Sequence, residues 1–453
     1  MSTTTLELQR PSRASTTNSI APQTRSSDYE NTRARRSSDD EAPSTDASLA
    51  IPDGGQSAYT VLFSCALFTF WLNGLGNSWG VVQAALLNQG LTSTATLSFV
   101  GSLSITFSVI LSLLSVRFMC LVGAKWAGLI GVTLLGLGQL TSGFMTSNVA
   151  GLFGTTGILF GTGSSLCFMV ASVLPSQYFS SKLGLANGLV KFAGSIGGTI
   201  LSISLNKLIL RVGTAWTLRI VGICCLATGI PVAFLVKEHN PRRGRAPFFD
   251  FSLFRNLSFT FIFLAGATGV FALFVPPFFL PLFAQSLGLS STVGAYLTAG
   301  FNFCAAVGKL GSGVLCDRIG AVNTLLLAML LNAISMLAIW PVSNILPTLS
   351  IFAIINGMAN GAFFTALPTV VTQIYGPSRA GVAMGMTITG WSVGFFMGAP
   401  IAGYLLQAAG GAKAGSISPY RPAIFYAGSI ALVSATFVLV ARLRLDPKLL
   451  KKV

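Results

Sequence analysis

The chain has 453 residues, of which 52% are hydrophobic and 9% are charged, whereas soluble domains carry about 25% charged residues. This composition excludes an ordinary soluble globular protein and indicates an integral membrane protein. The net charge of +16 does not indicate nucleic-acid binding, because the basic residues fall in short clusters between long apolar segments rather than in one patch.

The first 53 residues form a polar segment that holds eight of the twelve acidic residues of the chain. Because it has too little apolar surface to offset the loss of chain entropy on folding, we predict a disordered cytoplasmic tail over 1–53. The run from Arg33 to Glu41 suits either phosphorylation or simple solvation. No acidic residue occurs between Gly54 and Val236, so the membrane part begins almost without negative charge.

Twelve apolar segments follow, each near the length of about 20 residues that a helix needs to cross a bilayer. We number them as spans 1 to 12, at about 58–86, 97–117, 122–145, 149–174, 184–206, 216–236, 257–283, 292–314, 320–341, 345–372, 380–408 and 421–442. The predicted fold class is an all-α membrane protein with twelve transmembrane helices.

Lysine and arginine placement predicts the orientation, because both residues are enriched in cytoplasmic loops. With both termini in the cytoplasm, 21 of the 28 basic residues lie on the inside, including Arg242, Arg243, Arg245 and those from Arg442 onward. We therefore expect a multi-pass protein of the plasma membrane with both termini cytoplasmic.

A polar linker at 237–256 divides the membrane part into two six-helix halves, 54–236 and 257–442, and a cytoplasmic tail follows at 443–453. A weak internal repeat supports this division, although glycine-rich helices also match by chance. Residues of span 5 recur 197 positions later in span 11, namely Gly184, Ala186, Gly188 and Gly197 as Gly381, Ala383, Gly385 and Gly394. Such repeats are typical of transporters.

Helix-breaking and small residues cluster in spans 1 and 7. Pro276, Pro277 and Pro281 each remove a helical hydrogen bond, so we predict a bent or broken span 7 that acts as a hinge. The motif Gly76-x-x-x-Gly80 in span 1 is typical of closely packed membrane helices.

Two lysines, Lys191 in span 5 and Lys309 in span 8, lie deep within apolar segments. A charge inside the membrane costs about 2.5–3.5 kcal/mol on insertion scales and suggests a functional role. We predict that the two ammonium groups bind a carboxylate or another anion. The alternatives are that Lys191 extends to the membrane interface and that Lys309 pairs with Asp317, two helical turns away.

Uncharged cavity candidates are the amides and one aromatic residue within the spans: Asn73, Asn77, Gln83, Asn302, Asn356, Asn360 and Trp391. The amides are equally suited to linking neighbouring helices. The seven cysteines lack the spacing of metal ligands, and His239 is the single histidine, so we expect no metal, no cofactor and no enzymatic activity.

The segment from Gly313 to Gly320, with Asp317 and Arg318, resembles the loop signature of the major facilitator superfamily. This resemblance implies the major facilitator fold, with a central cavity between two halves and alternating access. It also implies that Asp317 and Arg318 belong to a cytoplasmic gate. The corresponding segment of the first half, from Arg117 to Lys125, lacks the aspartate.

Four further segments are similar to fungal members of the monocarboxylate-porter family: Pro52–Gly55, Asn77–Val81, Tyr178–Gly188 and Gly194–Gly198. The resemblance covers about residues 52–445. The lactate carriers of that family use a lysine in span 1 and an Asp–Arg pair in span 8, where this chain has Asn77, Ala305 and Lys309. These departures argue against proton-coupled lactate transport.

We therefore predict a monomeric secondary transporter of a small organic solute, expected to be anionic, working in a lipid bilayer without nucleic-acid partners. One alternative is efflux of a secondary metabolite. Proton antiporters that work as exporters carry a proline where this chain has Ser195, which argues against antiport. An alternative of another class is a membrane nutrient sensor that transports nothing.

Overall fold

The computed structural model describes residues 54–179, 183–238, 251–411 and 416–446, without the side chains of 183–184 and 375–382. The predicted N-terminal tail, the Arg242–Arg245 part of the linker and the residues after Asp446 lie outside the described residues. All regular secondary structure in the described part of the chain is helical.

The helical segments follow the predicted order of spans. Span 1 comprises Gln56–Asn77 and Trp79–Asn88, and span 2 comprises Thr94–Ile110 and Ser112–Val122. Span 3 is Ala124–Ser142, and span 4 is Val149–Tyr178. Spans 5 and 6 form the run Leu183–Phe234, and spans 10 and 11 form the run Leu346–Ala408. Span 7 comprises Leu257–Leu273 and Val275–Ser286. Spans 8 and 9 are Ser291–Ile319 and Ala321–Val342, and span 12 is Arg421–Leu445.

Each long run contains two spans. In the run Leu183–Phe234, Gly213 has φ 78° and ψ 167°, which interrupts the helix. The 63 residues of Leu346–Ala408 would extend about 95 Å as a straight helix, three times the thickness of the hydrocarbon core. The rings of Phe363 and Trp391 nevertheless have centroids 5.9 Å apart, so this run folds back on itself.

Within the described residues, eight helices are long and apolar enough to cross a membrane, or nine if the bent pair Thr94–Ile110 and Ser112–Val122 is one span. Dividing the two long runs and including the shorter helices gives the twelve spans. The fold is therefore an all-α membrane protein with two six-helix halves, as predicted.

The interval of 197 residues that relates span 5 to span 11 also relates turns of the two halves. Gly123, which joins spans 2 and 3, and Gly320, which joins spans 8 and 9, are 197 residues apart and have φ of 87° and 94°. Ser93 and Ser290, separated by the same interval, each accept a backbone N–H in the first turn of the following span. The two halves thus use the same turn chemistry at corresponding positions.

We call the membrane face that holds Gln56 and Leu445 the terminal face and the opposite one the loop face. At the terminal face, Glu238 accepts a hydrogen bond from the backbone N–H of Ala124, which fastens the end of span 6 to the start of span 3. In the second half, the Arg442 Nε donates to the Asn323 side chain over 2.5 Å. Its Nη1 donates to the Asp446 carbonyl over 2.6 Å.

The predicted span 12 ends at Arg442, next to the cytoplasmic tail. The last helix continues to Leu445, and the Arg442 side chain is fully buried. A positive charge near the C-terminal end of a helix is favoured by the helix dipole. Arg442 is therefore a structural link between spans 9 and 12.

We expect Arg442→Ala to destabilise the second half, because each hydrogen bond to a charged group contributes about 1.5–3 kcal/mol and Asn323 loses a partner. The change should lower the unfolding temperature of the purified protein in detergent by several degrees. Arg444→Ala, on an exposed arginine of the same helix, is the control and should have little effect. Equal shifts in the two variants would contradict the link.

Candidate functional site

Lys191 and Lys309 meet where span 5 of the first half contacts span 8 of the second. The ammonium group of Lys309 donates to the Ser195 hydroxyl over 2.7 Å and lies 3.5 Å from the carbonyl oxygen of Lys191. The Lys191 ammonium lies 3.5 Å from the carbonyl oxygen of Phe364 in span 10. Both lysines are half-buried. The geometry thus places the Lys309 ammonium beside the backbone of Lys191, so the two predicted lysines belong to one contact between the halves.

The contacts of the two ammonium groups are all with uncharged oxygen atoms. Each ammonium has three N–H donors, and contacts of 3.5 Å are at the limit of hydrogen bonding. The alternative pairing of Lys309 with Asp317 is not among the contacts of the described residues, where Asp317 is exposed. No aspartate or glutamate occurs in the sequence between Phe251 and Cys316 or between Gly54 and Val236. Within the part of the chain that the structure describes, the lysine pair therefore has unused donors and no counter-charge.

An aromatic cluster lies beside the lysine pair. Trp391 contacts Phe364 and Phe395, with ring centroids 5.8 and 6.2 Å apart. Phe274 extends the cluster towards span 7, with centroids 5.2 Å from Phe395 and 6.3 Å from Phe364. The Trp391 Nε1 is buried without a hydrogen-bond partner among the described residues. The predicted cavity residue Trp391 is thus close to the lysines through Phe364.

A partly open cavity of about 40 Å³ lies mainly in the first half. We call it the span-1 cavity. It is lined by Leu72, Asn73, Gly76, Asn77, Ser104, Ile105, Ser108, Phe160, Ser164 and Phe274. Asn77, predicted as a substrate-binding residue, therefore lies in a cavity whose lining is uncharged and combines polar with apolar side chains.

The other predicted amides lie at helix contacts. Asn302 is buried against Gly198 of span 5, and its Nδ2 has no hydrogen-bond partner among the described residues. Asn356 donates to the Asn332 side chain over 3.3 Å and to the Ser335 hydroxyl over 2.9 Å. Asn302 thus lies between the halves, near the lysine pair, whereas Asn356 links spans 9 and 10.

Span 7 is broken at Phe274, which separates Leu257–Leu273 from Val275–Ser286. Pro276 and Pro277 lie in the first turn of the second segment, where a missing N–H is tolerated. Pro281 lies inside that segment and deprives the Pro277 carbonyl of its helical donor. Gly80 of span 1 packs against this carbonyl, so the glycine motif and the prolines form one contact between the halves.

The halves also contact each other elsewhere on the loop face. Asn88 donates to the Gln285 side chain over 3.0 Å, and Asn206 donates to the Thr292 hydroxyl over 3.3 Å. At the terminal face, Asp317 and Arg318 are exposed, and no described residue is recorded as a partner of either. The structure is thus closed between the halves on the loop face.

Sequence reasoning missed several residues of this site. Ser164 lines the span-1 cavity with a buried hydroxyl, and Phe274 and Phe364 join the cavity to the lysine pair. Serine and phenylalanine are common in membrane helices, so these residues carry no distinguishing pattern. Their role comes from packing between spans that are distant in sequence.

We expect Gly80→Ala to disturb the closed loop face, because a Cβ there would overlap the Pro277 carbonyl and lie 2.9 Å from the Phe278 carbonyl. Overpacking of this kind costs about 1–3 kcal/mol. Cysteines introduced at Asn88 and Gln285 should react with a short thiol cross-linker in the parent protein. The yield should fall in the Gly80→Ala variant.

The matched control is Gly188→Ala, since nothing lies within 4 Å of a Cβ at Gly188. Its cross-linking yield should equal that of the parent protein. An undiminished yield in the Gly80→Ala variant would show that this glycine does not hold the loop face closed.

Comparison with known proteins identifies the family. The family model of the Major Facilitator Superfamily matches residues 62–311 and 262–453. The chain is 27% identical to the MFS transporter asaE of Aspergillus flavus over 401 residues, which covers 87% of this chain and 88% of the relative. It is 29% identical to the aspyridones efflux protein apdF of Emericella nidulans over 390 residues, covering 83% and 78%.

Solved structures give the same fold. The nucleoside transporter NupG is similar with a TM-score of 0.68 at 15% identity, over 84% of this chain and 99% of that one. The D-xylose-proton symporter has a TM-score of 0.67 at 13% identity, over 84% and 97%. These identities establish the fold but not the substrate. The chain belongs to the Major Facilitator Superfamily and is a membrane transporter, not an enzyme.

Proposed function

We propose that the protein exports a small organic anion, a metabolite with a carboxylate or an equally acidic group, from the cytoplasm. It works as a monomer in the plasma membrane with both termini cytoplasmic. The observation that carries this proposal is the lysine pair: the Lys309 ammonium lies against the backbone of Lys191 between the two halves, and the contacts of both ammonium groups within the described part of the chain are with uncharged oxygens.

The lysine pair is suited to an anion on electrostatic grounds. If two ammonium groups are about 6 Å apart, they repel each other by roughly 3 kcal/mol at an effective dielectric constant of 20. An anion between them adds two attractions that outweigh this repulsion. Because one lysine belongs to each half, an anion bound to both also draws the halves together.

Two similarities to known proteins support the proposed substrate class and the proposed direction of transport. The motifs from Asn77 to Val81 and from Gly194 to Gly198 resemble monocarboxylate porters, which favours a carboxylate. The relatives include efflux proteins for aspyridones and, in Paecilomyces divaricatus, for agnestins, which favours export of a secondary metabolite. The agnestins relative is 27% identical over 415 residues, covering 87% of this chain and 89% of the relative.

The remaining predicted residues take supporting roles in this proposal. Asn77, Asn302 and Trp391 contact the body of the substrate, and Asn356 maintains the packing of spans 9 and 10 beside it. Asp317 and Arg318 form the gate at the terminal face, and Pro276, Pro277 and Pro281 let span 7 bend. The lack of acidic residues in the spans favours transport coupled through the charge of the substrate or facilitated diffusion.

Cells in which the gene is disrupted should accumulate an acidic metabolite and release less of it into the medium. The unmodified gene should restore release, whereas Lys191→Met and Lys309→Met should not, because each removes one of the two charges that bind the anion. Metabolite profiling of cells and medium by mass spectrometry measures both amounts.

Lys207→Met is the matched control, since Lys207 is exposed and lies in the same helical run as Lys191. It should restore release fully. Accumulation of a neutral metabolite alone, or full restoration by Lys309→Met, would contradict the anion site. Failure of the disrupted cells to take up a solute would contradict export.

A further inference from the structure

The span-1 cavity differs from the lysine pair because none of its lining residues is charged. An ion in such a cavity would lose its hydration without a counter-charge, which is costly. Uncharged polar groups lose much less, provided that hydrogen bonds replace those to water. The cavity therefore selects for a neutral group that both donates and accepts hydrogen bonds.

The hydrogen-bonding capacity of the lining is largely unused. Ser164 is 2% exposed, and its hydroxyl oxygen has no hydrogen-bond partner among the described residues. Asn73 and Asn77 are half-buried, and no hydrogen bond of either side chain is recorded with another described residue. A buried hydroxyl without a partner costs free energy, so Ser164 is poised for a ligand or water.

The two serines of span 2 that line the cavity can accept hydrogen bonds from a ligand but do not have a free proton to donate. The Ser104 and Ser108 hydroxyls donate to the carbonyls of Gly101 and Ile105, over 2.7 and 2.6 Å. Their protons are therefore used within the helix, and their oxygens remain available as acceptors. Together with Ser164 and the two amides, they offer both donors and acceptors to one group.

Gly76 keeps the cavity open. A Cβ at this position would meet no atom closer than the Ile105 side chain, at 3.9 Å, whereas a Cβ at Gly80 would collide with span 7. The two glycines of the Gly76-x-x-x-Gly80 motif thus differ: Gly80 allows close packing, and Gly76 leaves empty space. A larger side chain at Gly76 would fill the cavity without displacing backbone.

The cavity and the lysine pair are adjacent. Asn73 lies against Gly194, since a Cβ there would be 3.0 Å from its Nδ2. Gly194 precedes Ser195, which holds the Lys309 ammonium. On the other side, the Phe274 ring lines the cavity and contacts the ring of Phe364, whose carbonyl accepts from Lys191.

We propose that the span-1 cavity is a second binding subsite, which takes a neutral hydrogen-bonding group, a carboxamide or hydroxyl on a ring, that the substrate carries beside its anionic group. This rests on the proposed function for the assignment of the anionic group to Lys191 and Lys309. The neutral group is bound by Asn73, Asn77 and Ser164, and its ring packs against Phe160 and Phe274.

Three probes of nearly equal shape separate the two subsites: benzamide, benzoate and toluene. We measure the rise in unfolding temperature that each causes in the purified full-length protein at millimolar concentrations. Benzamide, which is neutral and both donates and accepts, should stabilise the protein through the cavity. Benzoate should stabilise it through the lysines, and toluene, which makes no hydrogen bond, should have little effect.

The variant Gly76→Val fills the cavity, and Asn77→Leu removes one amide. Asn77→Leu should weaken benzamide binding about tenfold, as expected for the loss of a hydrogen bond to a buried partner. Gly76→Val should weaken it at least tenfold, because the valine side chain occupies the space of the ligand, and both variants should leave the response to benzoate unchanged. The retained benzoate response also shows that the variants are folded. Gly188→Ala, in open space, should respond like the parent protein.

The outcomes for the two proposals are distinguishable. No stabilisation by benzamide, an equal one by toluene, or an unchanged benzamide response in Gly76→Val would overturn the subsite. A benzoate response that survives Lys309→Met would instead overturn the anion site, and the benzamide result would stand by itself. Loss of both responses in Lys309→Met alone would show one undivided site.

Discussion

The interaction on which the arrangement depends is the approach of two ammonium groups in a membrane interior without carboxylates. Lys309 is held by the Ser195 hydroxyl and approaches the Lys191 backbone, and Lys191 reaches the Phe364 carbonyl. Dipoles of this kind solvate a charge but do not neutralise it. A protein that keeps two such charges near each other stores an unfavourable interaction, which the proposed binding of an anion would relieve.

The internal repeat explains how the two lysines come to lie at the contact between the halves. Turns and caps recur at an interval of 197 residues, as at Gly123 and Gly320, so the halves are built alike. The lysines break the repeat: the position matching Lys191 is Ile388, and the position matching Lys309 is Ser112. Each half therefore supplies one lysine from a different span, and the Lys309 ammonium reaches the Lys191 backbone only when the halves are assembled.

Closure of the loop face has its own physical basis. Pro281 leaves the Pro277 carbonyl without a helical donor, and Gly80 has no side chain to keep span 1 away from it. The break at Phe274 places an aromatic ring where the cavity, the cluster around Trp391 and the second half converge. Movement of span 7 against span 1 would therefore change the seal and the substrate site together, as alternating access requires.

The sequence was sufficient to predict the spans, because length and hydropathy respond to the bilayer alone. It also indicated Lys191 and Lys309 as candidate binding residues, since charge is rare in apolar helices, and their role remains a prediction. It could not predict that Ser195 is the partner of Lys309, or that Ser164 faces a cavity, because these contacts depend on which helix faces pack. The burial of Arg442 could not be predicted for a related reason: an arginine at a helix end is usually solvated, and this one is buried with Asn323 of a distant span as its partner.

The most direct test of the stored repulsion is a double-mutant cycle at the two lysines, with unfolding temperatures measured in the absence of any organic anion. If the ammonium groups repel each other, Lys191→Met and Lys309→Met should each raise the unfolding temperature, and the double variant should gain less than the sum of the two. The account is contradicted if each single variant has a lower unfolding temperature than the parent protein and the decrease in the double variant equals the sum of the two. That result would show that the lysines are structural residues with independent partners.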